Sequence, residues 1–253
     1  MIEYIDGAFG LHTADTSYVF AVLPTGQLEH LHYGKRIRLN KGAVEALREK
    51  HAFAPGNTVI YDNDHPQYSL EDVKLEMSAH GKGDIREPFV EIVYPDGSES
   101  SDFVYKGYEI IEGKPELETL PSSYCAAEQA DEKMTLKITL ADRHYPIELD
   151  LFYYVYEKEN VISRSGRIIN NGENNITLKR LMSLMLDMEG VGYKVTTFNG
   201  AWAREMNRHD TVVTAGKLVN SSYTGTSSSR ANPFVMLTRT NTSEDFGDCY
   251  GFN

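Results

Sequence analysis

Cysteine is almost missing from this chain of 253 residues: there are two, Cys125 and Cys249. Two thiols cannot build a disulfide framework, so the fold must rest on an apolar core, and a reducing compartment suits it. Apolar runs are all short of the ~20 residues that a membrane-spanning helix needs. Basic charge is in deficit, with 25 Lys and Arg against 37 Asp and Glu and a formal net charge of −12. That balance excludes the basic face a nucleic-acid partner requires. The first residues, Met-Ile-Glu-Tyr-Ile-Asp-Gly, carry neither a basic segment nor an apolar stretch, so no secretory signal is expected and the expected location is cytoplasmic. Catalytic motifs are absent too: there is no G-x-S-x-G elbow, no P-loop and no G-x-G-x-x-G. Helical periodicity is confined to residues 42–51, where Val44 and Leu47 share one short face.

What the chain has is alternation of apolar and polar residues, the signature of half-buried strands. Residues 17–23 and 28–33 flank Pro24-Thr25-Gly26 and read as a hairpin. Residues 89–94 run into Pro95-Asp96-Gly97 and return through 103–111 as a second. Residues 134–140 and 147–156 read as strands flanking Ala141-Asp142-Arg143-His144, and 161–169 and 176–188 as strands joined by an Asn-rich polar loop. Further strands are expected at 193–198, 211–219 and 233–239, and residues 248–253 look like the opening of one more. Many antiparallel strands with short turns and very little helix define an all-β fold, a large antiparallel β-sandwich. The irregular stretch from Ala54 to Pro66 is long for a plain connection, and such loops usually serve a lid or an interface.

Few residues single themselves out for chemistry. His30 and His32 lie two apart on a strand and could begin a metal site. Without an identifiable third ligand, two histidines on a half-solvated hairpin is the expected arrangement. Asp62-Asn63-Asp64 opens like a calcium loop but lacks the later oxygen ligands, the glycine and the closing glutamate. Carboxylates are everywhere, yet no motif selects two of them as a hydrolytic pair. Trp202, the only tryptophan, is different. Beside it Gly200 permits close backbone approach, and Arg204 with Glu205 could supply fixed hydrogen bonds. A tryptophan there can plug a core, as large aromatics usually do, or stack on the C–H face of a sugar ring.

The order of several segments resembles the N-terminal domain of the α-galactosidases of glycoside hydrolase family 36. The matching stretches are Leu31-His32-Tyr33-Gly34-Lys35, Tyr68-Ser69-Leu70-Glu71, Gly113-Lys114-Pro115 with Leu120-Pro121, and Tyr156-Glu157-Lys158 through Asn160-Val161-Ile162-Ser163-Arg164-Ser165. They continue with Gly200-Ala201-Trp202-Ala203-Arg204-Glu205, Ser227-Ser228-Ser229, Asn232-Pro233-Phe234 and Tyr250-Gly251-Phe252. Each is short, but their shared order spans nearly the whole chain. The resemblance implies that residues 1–253 form one galactose-mutarotase-like β-supersandwich, the N-terminal domain of a longer enzyme. A catalytic (β/α)8 barrel, carrying the retaining pair of aspartates, would follow beyond Asn253. It implies Trp202 as the substrate-binding residue, lining the galactose site at the barrel's mouth, with no catalytic residue in this chain. No metal and no cofactor are implied, and the chain alone is expected to be inactive. The partners implied are a galactoside shared with the downstream barrel and further copies in a homo-oligomer, with no nucleic acid and no membrane. Tetrameric members send a loop from this domain into a neighbour's active site through an aspartate and an arginine. The corresponding stretch, residues 48–68, has Lys50 at the aspartate's place and no arginine before Tyr68, so those two roles are not carried over. Two other readings remain open at this stage: a stand-alone carbohydrate-binding β-sandwich, and a structural domain whose tryptophan is core.

Overall fold

Strand-forming sequence dominates the computed structural model, which describes all residues except 51–58, 118, 121, 125–132, 189 and 226–229. Among the described residues fourteen strands and one short α-helix are present, and every strand pairing is antiparallel. The chain divides into two compact units, residues 1–188 and 189–253.

Unit 1 is the β-sandwich. Its first sheet is a meander of β1 (Ile2–Ile5), β2 (Ala8–His12), β3 (Thr16–Val22) and β4 (Leu28–Lys35). A pair is formed by β5 (Val90–Val93) and β10 (Thr177–Leu181). The second four-stranded meander runs β6 (Phe103–Glu112), β7 (Lys133–Asp142), β8 (Ile147–Tyr156) and β9 (Val161–Asn170). Phe9, Leu11 and Phe20 from the first sheet pack with Leu136, Ile138, Leu149, Leu151 and Tyr153 from the second in one apolar core. Within it the Phe20 ring stacks on Phe9 at 5.2 Å and on Tyr153 at 5.1 Å between centroids.

The first sheet also has a second covered face. Ala8, Val19, Ala21 and Leu31 pack there with Leu39 and with Val44 of helix α1 (Lys41–Leu47). The helix starts where it does because Asn40 caps it, its side-chain oxygen accepting the Ala43 N–H at 2.9 Å. Burial on both faces explains why β2 is buried throughout while β7 alternates. Leu23, Tyr61, Leu70, Val73 and Leu75 form a smaller cluster under residues 61–75.

Unit 2 is one four-stranded sheet in the order β12 (Arg204–Val212), β11 (Tyr193–Ala201), β13 (Val235–Arg239), β14 (Cys249–Phe252). Its strands are held by backbone pairing, with few buried side chains: Tyr193, Thr196 and Thr238 among those described.

Three expectations need correcting. Residues 89–94 and 103–111 do not pair as a hairpin. The Tyr94–Ser98 turn forms, with the Tyr94 N–H donating to the Ser98 carbonyl at 2.9 Å, but β5 pairs with β10 while β6 pairs with β7. The strong turn signal was real, and the partner choice was set by which sheet each apolar face had to cover. The same competition takes β10 away from β9. Second, residues 213–219 form no strand; the return strand β12 begins at Arg204, because the chain reverses at once after Ala201. Third, His30 is buried rather than half-solvated. A β-bulge in the β3–β4 pairing offsets Val19↔His32 from Phe20↔His30, and residues 74–76 cover that edge, the His30 N–H donating to the Lys74 carbonyl at 2.6 Å.

Candidate functional site

The β11–β12 hairpin is as tight as two strands allow. Ala201 pairs with Arg204, so Trp202 and Ala203 alone make the turn. The pairing shifts between Asn199 and Ala201, placing Gly200 opposite a bulge formed by Glu205 and Met206 of β12. Glycine is required there: a Cβ on Gly200 would run into the carbonyl oxygen of Arg204. Ala203 sits in the left-handed region at φ 61°, which costs an L-residue of this kind ~1 kcal/mol and persists only where the surroundings enforce it. Here the Ala203 N–H donates to Glu205 Oε1 at 2.8 Å, and Asn207 Nδ2 donates to the Arg204 carbonyl at 2.9 Å.

Trp202 is the product of this construction. Its side chain is 91% exposed at the hairpin tip. The core position that an isolated tryptophan usually takes is therefore not the one occupied. Of the two residues expected to assist it, Glu205 is spent on the turn, whereas the Arg204 guanidinium has no partner among the described residues. Farther along β12 the Asp210 carboxylate takes the Arg208 fork through two contacts of 2.9 Å, accepts the Thr196 hydroxyl at 2.6 Å and lies 3.5 Å from Lys194 Nζ. The hydrogen bonds from Arg208 and Thr196 hold it well below the ordinary carboxylate range. Such a group stays ionised and cannot act as a general acid near neutrality.

Asn232 ties the neighbouring loop to the same strands. Its N–H donates to the Phe198 carbonyl at 3.0 Å, and the Phe198 and Phe234 rings stack at 6.2 Å. A polar cavity of 390 Å³ opens beside it, lined among others by Asn220, Ser222 and Gly225. Residues 227–229 of the expected Ser-Ser-Ser stretch lie outside the described residues, as do 51–58 in the middle of the expected cross-subunit loop and Cys125.

The buried carboxylates of unit 1 are all occupied structurally. Glu76, fully buried, accepts the hydroxyls of Tyr18 and Tyr153 at 2.8 Å and pairs with Arg164 Nη1 at 2.8 Å, with His30 Nδ1 3.4 Å away. Asp102 accepts Tyr61 Oη at 2.9 Å and Gln27 Nε2 at 3.0 Å; Asp142 accepts the Asp102 N–H at 2.8 Å. Asp150 accepts Thr139 Oγ1 at 2.7 Å and is paired by Arg167. Asp62 accepts the backbone N–H groups of Asp64 and His65 and contacts the His65 ring at 2.8 Å, a self-contained loop. His32 Nε2 lies 3.1 Å from the Lys35 carbonyl, while His30 faces Glu76, so the two histidines do not converge. Sequence reasoning missed the Glu76–Arg164 pair. Strand β9 carries two arginines, Arg164 and Arg167, and nothing in its sequence marks which of them is buried.

The described residues thus form an antiparallel β-sandwich in unit 1 and, in unit 2, a small four-stranded sheet that exposes a tryptophan. Comparison with known proteins gives the family: residues 26–253 match the glycosyl hydrolase family 36 N-terminal domain, and the chain belongs to that family. It is 35% identical over 245 residues to α-galactosidase AgaA of Geobacillus stearothermophilus, covering 97% of this chain and 33% of that one. It is 34% identical over 244 residues to α-galactosidase Mel36A of Lactobacillus acidophilus, at 96% and 33% coverage. The crystal structure of an α-galactosidase from Lactobacillus brevis superposes with a TM-score of 0.90 at 30% identity, over 97% of this chain and 32% of that one. The chain thus spans about one third of the length of these relatives.

Proposed function

We propose that the chain is the non-catalytic N-terminal domain of a retaining α-galactosidase, and that Trp202 forms one wall of the galactoside site at the mouth of a downstream barrel. The observation that carries this reading is the exposure of Trp202, 91%, on a hairpin whose shape depends on Gly200. A solvent-facing indole offers a large apolar plane, which suits the C–H face of a sugar. The buried acids of this chain are committed to structural partners, which suits a domain whose chemistry lies elsewhere. One solved relative, a variant of AgaA, is described in complex with raffinose, and that supports an α-galactosyl oligosaccharide as the ligand class. Exposed apolar residues of unit 2, Val212, Leu218, Val219, Tyr223 and Phe246, fit a surface that a barrel or another copy in a homo-oligomer covers. A free, exposed thiol at Cys249 accords with a reducing, cytoplasmic setting.

The test is Trp202→Ala and Trp202→Phe in the full-length polypeptide. Loss of the stacking plane is expected to lower kcat/KM on raffinose about tenfold or more, partly restored by Phe, with the unfolding midpoint unchanged. Equal kcat/KM in all three proteins would sink the reading. The 253 residues alone are expected to give no turnover of an aryl α-galactoside.

A further inference from the structure

A second concave site lies in unit 1, on residues that the proposed galactoside wall does not use. The turn after β5, the β7–β8 turn and the β9–β10 connection together line a cavity of 240 Å³, walled by Tyr94, Asp96, Tyr145, Pro146, Glu173 and Asn174 among others. Its aromatic wall is fixed. Tyr145 lies on buried Tyr94 with ring centroids 3.6 Å apart and planes 10° from parallel. The Tyr145 hydroxyl donates to Asp96 Oδ2 at 2.9 Å, and the Ser98 N–H donates to Asp96 Oδ1 at 2.9 Å. The opposite rim is fixed as well. Asn170 accepts the Gly172 N–H at 3.0 Å and donates through Nδ2 to the Asn174 carbonyl at 2.8 Å. Gly172 is pressed against Pro146 so closely that a Cβ would come to 2.8 Å from the proline Cγ.

We propose that this cavity is a separate carbohydrate-binding site that takes one pyranose ring of a neutral oligosaccharide. The charged groups in reach are both acceptors, the Asp96 carboxylate and the Glu173 carboxylate, which has no partner among the described residues, and the Asn174 amide offers a donor beside them. Among the described residues no lysine, arginine or histidine lines the cavity, so anions are disfavoured and hydroxyl donors are wanted. Pro95, Pro146, Ile147 and Ile176 with the tyrosine planes supply the apolar surface that a sugar's C–H face seeks. The volume is below the ~300 Å³ of a drug-sized ligand's pocket, which limits the occupant to about one ring.

The experiment uses saturation-transfer NMR with raffinose on the protein carrying Trp202→Ala, which removes the other sugar-facing aromatic. Transfer to ring protons is expected to persist, to weaken about tenfold in affinity when Tyr145→Ala is added, and severalfold with Glu173→Ala. Glu173 is exposed and makes no contact that the fold needs, so its variant separates a binding defect from a folding one. Binding should be unchanged between 50 mM and 500 mM salt, as for a neutral ligand. No transfer in Trp202→Ala, equal transfer in Glu173→Ala, or loss of binding with added salt each overturns the proposal. Failure of Trp202 to affect catalysis would leave it standing, because the two sites share no residue.

Discussion

The two units of this chain solve the same problem, stabilising antiparallel strands, with unequal means. In unit 1 the sheet β1–β4 is covered on both faces, Phe9, Leu11 and Phe20 on one side and Ala8, Val19 and Ala21 on the other. A buried ion pair, Glu76 with Arg164, is surrounded by the hydroxyls of Tyr18 and Tyr153. In unit 2 every residue of β12 is exposed, and Trp202 and Tyr223 are 91% and 100% exposed. The difference teaches where each unit's free energy is lodged. Unit 1 gains from burial and from satisfied buried polar groups; unit 2 relies on its ladder and spends its apolar residues on surface. Under the proposed function that surface meets the rest of a longer polypeptide.

The largest effect should come from breaking the buried pair. Arg164→Ala leaves the Glu76 carboxylate without its cation in the core and is expected to cost roughly 3–5 kcal/mol in urea unfolding. Replacing both partners, Glu76→Leu with Arg164→Met, should cost clearly less, because no charge is then stranded. A double variant as unstable as Arg164→Ala would show that packing, and not charge, dominates there.

Acid should expose the same contrast with a smaller effect. Burial by itself raises the Glu76 carboxyl, but Arg164, His30 and the Tyr18 hydroxyl outweigh it and hold it below its ordinary value. A carboxyl depressed on folding contributes stability that is complete above its unfolded pKa, ~4.3, and is lost as pH falls through the folded value. Unfolding midpoints are therefore expected to drop on acidification below about pH 4.3, and Glu76→Gln should flatten that limb. Asp210 is also depressed, by Arg208 and Thr196, but it is open to solvent in unit 2. Asp210→Asn should change the acid limb far less, since water and salt screen its partners. Burial raises Tyr18 and Tyr153 well above the ordinary phenol value. Their contribution is complete below about pH 10 and is lost above it, so an alkaline limb belongs to unit 1 as well.

A backbone change in unit 2 sharpens the comparison from the other side. Gly200→Ala forces a methyl group onto the Arg204 carbonyl and is expected to cost about 1–3 kcal/mol, confined to unit 2. Hydrogen exchange should report faster opening of β11 and β12 with unit 1 unchanged. Slowed or unaltered exchange in β11 would show that the bulge is not needed.

Much of unit 1 was legible in the sequence. The turn Pro24-Thr25-Gly26 does join β3 to β4, the alternation in β7 and β8 marks their buried faces, and the short amphipathic segment near Val44 is α1. The strong turn at Pro95-Asp96-Gly97 misled, because a local turn cannot tell a chain whether its two arms share a sheet. Strand β12 was illegible for another reason. Arg-Glu-Met-Asn-Arg-His-Asp is polar on both faces, so period two leaves no trace in it. Trp202 was visible as an anomaly of composition; its residue type alone favoured a core place, and it was the ordered resemblance that put it at a surface, where 91% of it is exposed.

By itself the sequence determined the all-β class, most strand positions and the membership that ordered motifs carry, because hydrophobic period, turn chemistry and glycine placement act over a few residues. Only the tertiary structure decided which strands share a sheet, that His30 and Arg164 meet on Glu76, and that Glu205 is spent on the turn that carries Trp202. Those outcomes depend on contacts between residues far apart in the chain, where the competition for burial, not local preference, chooses the partner.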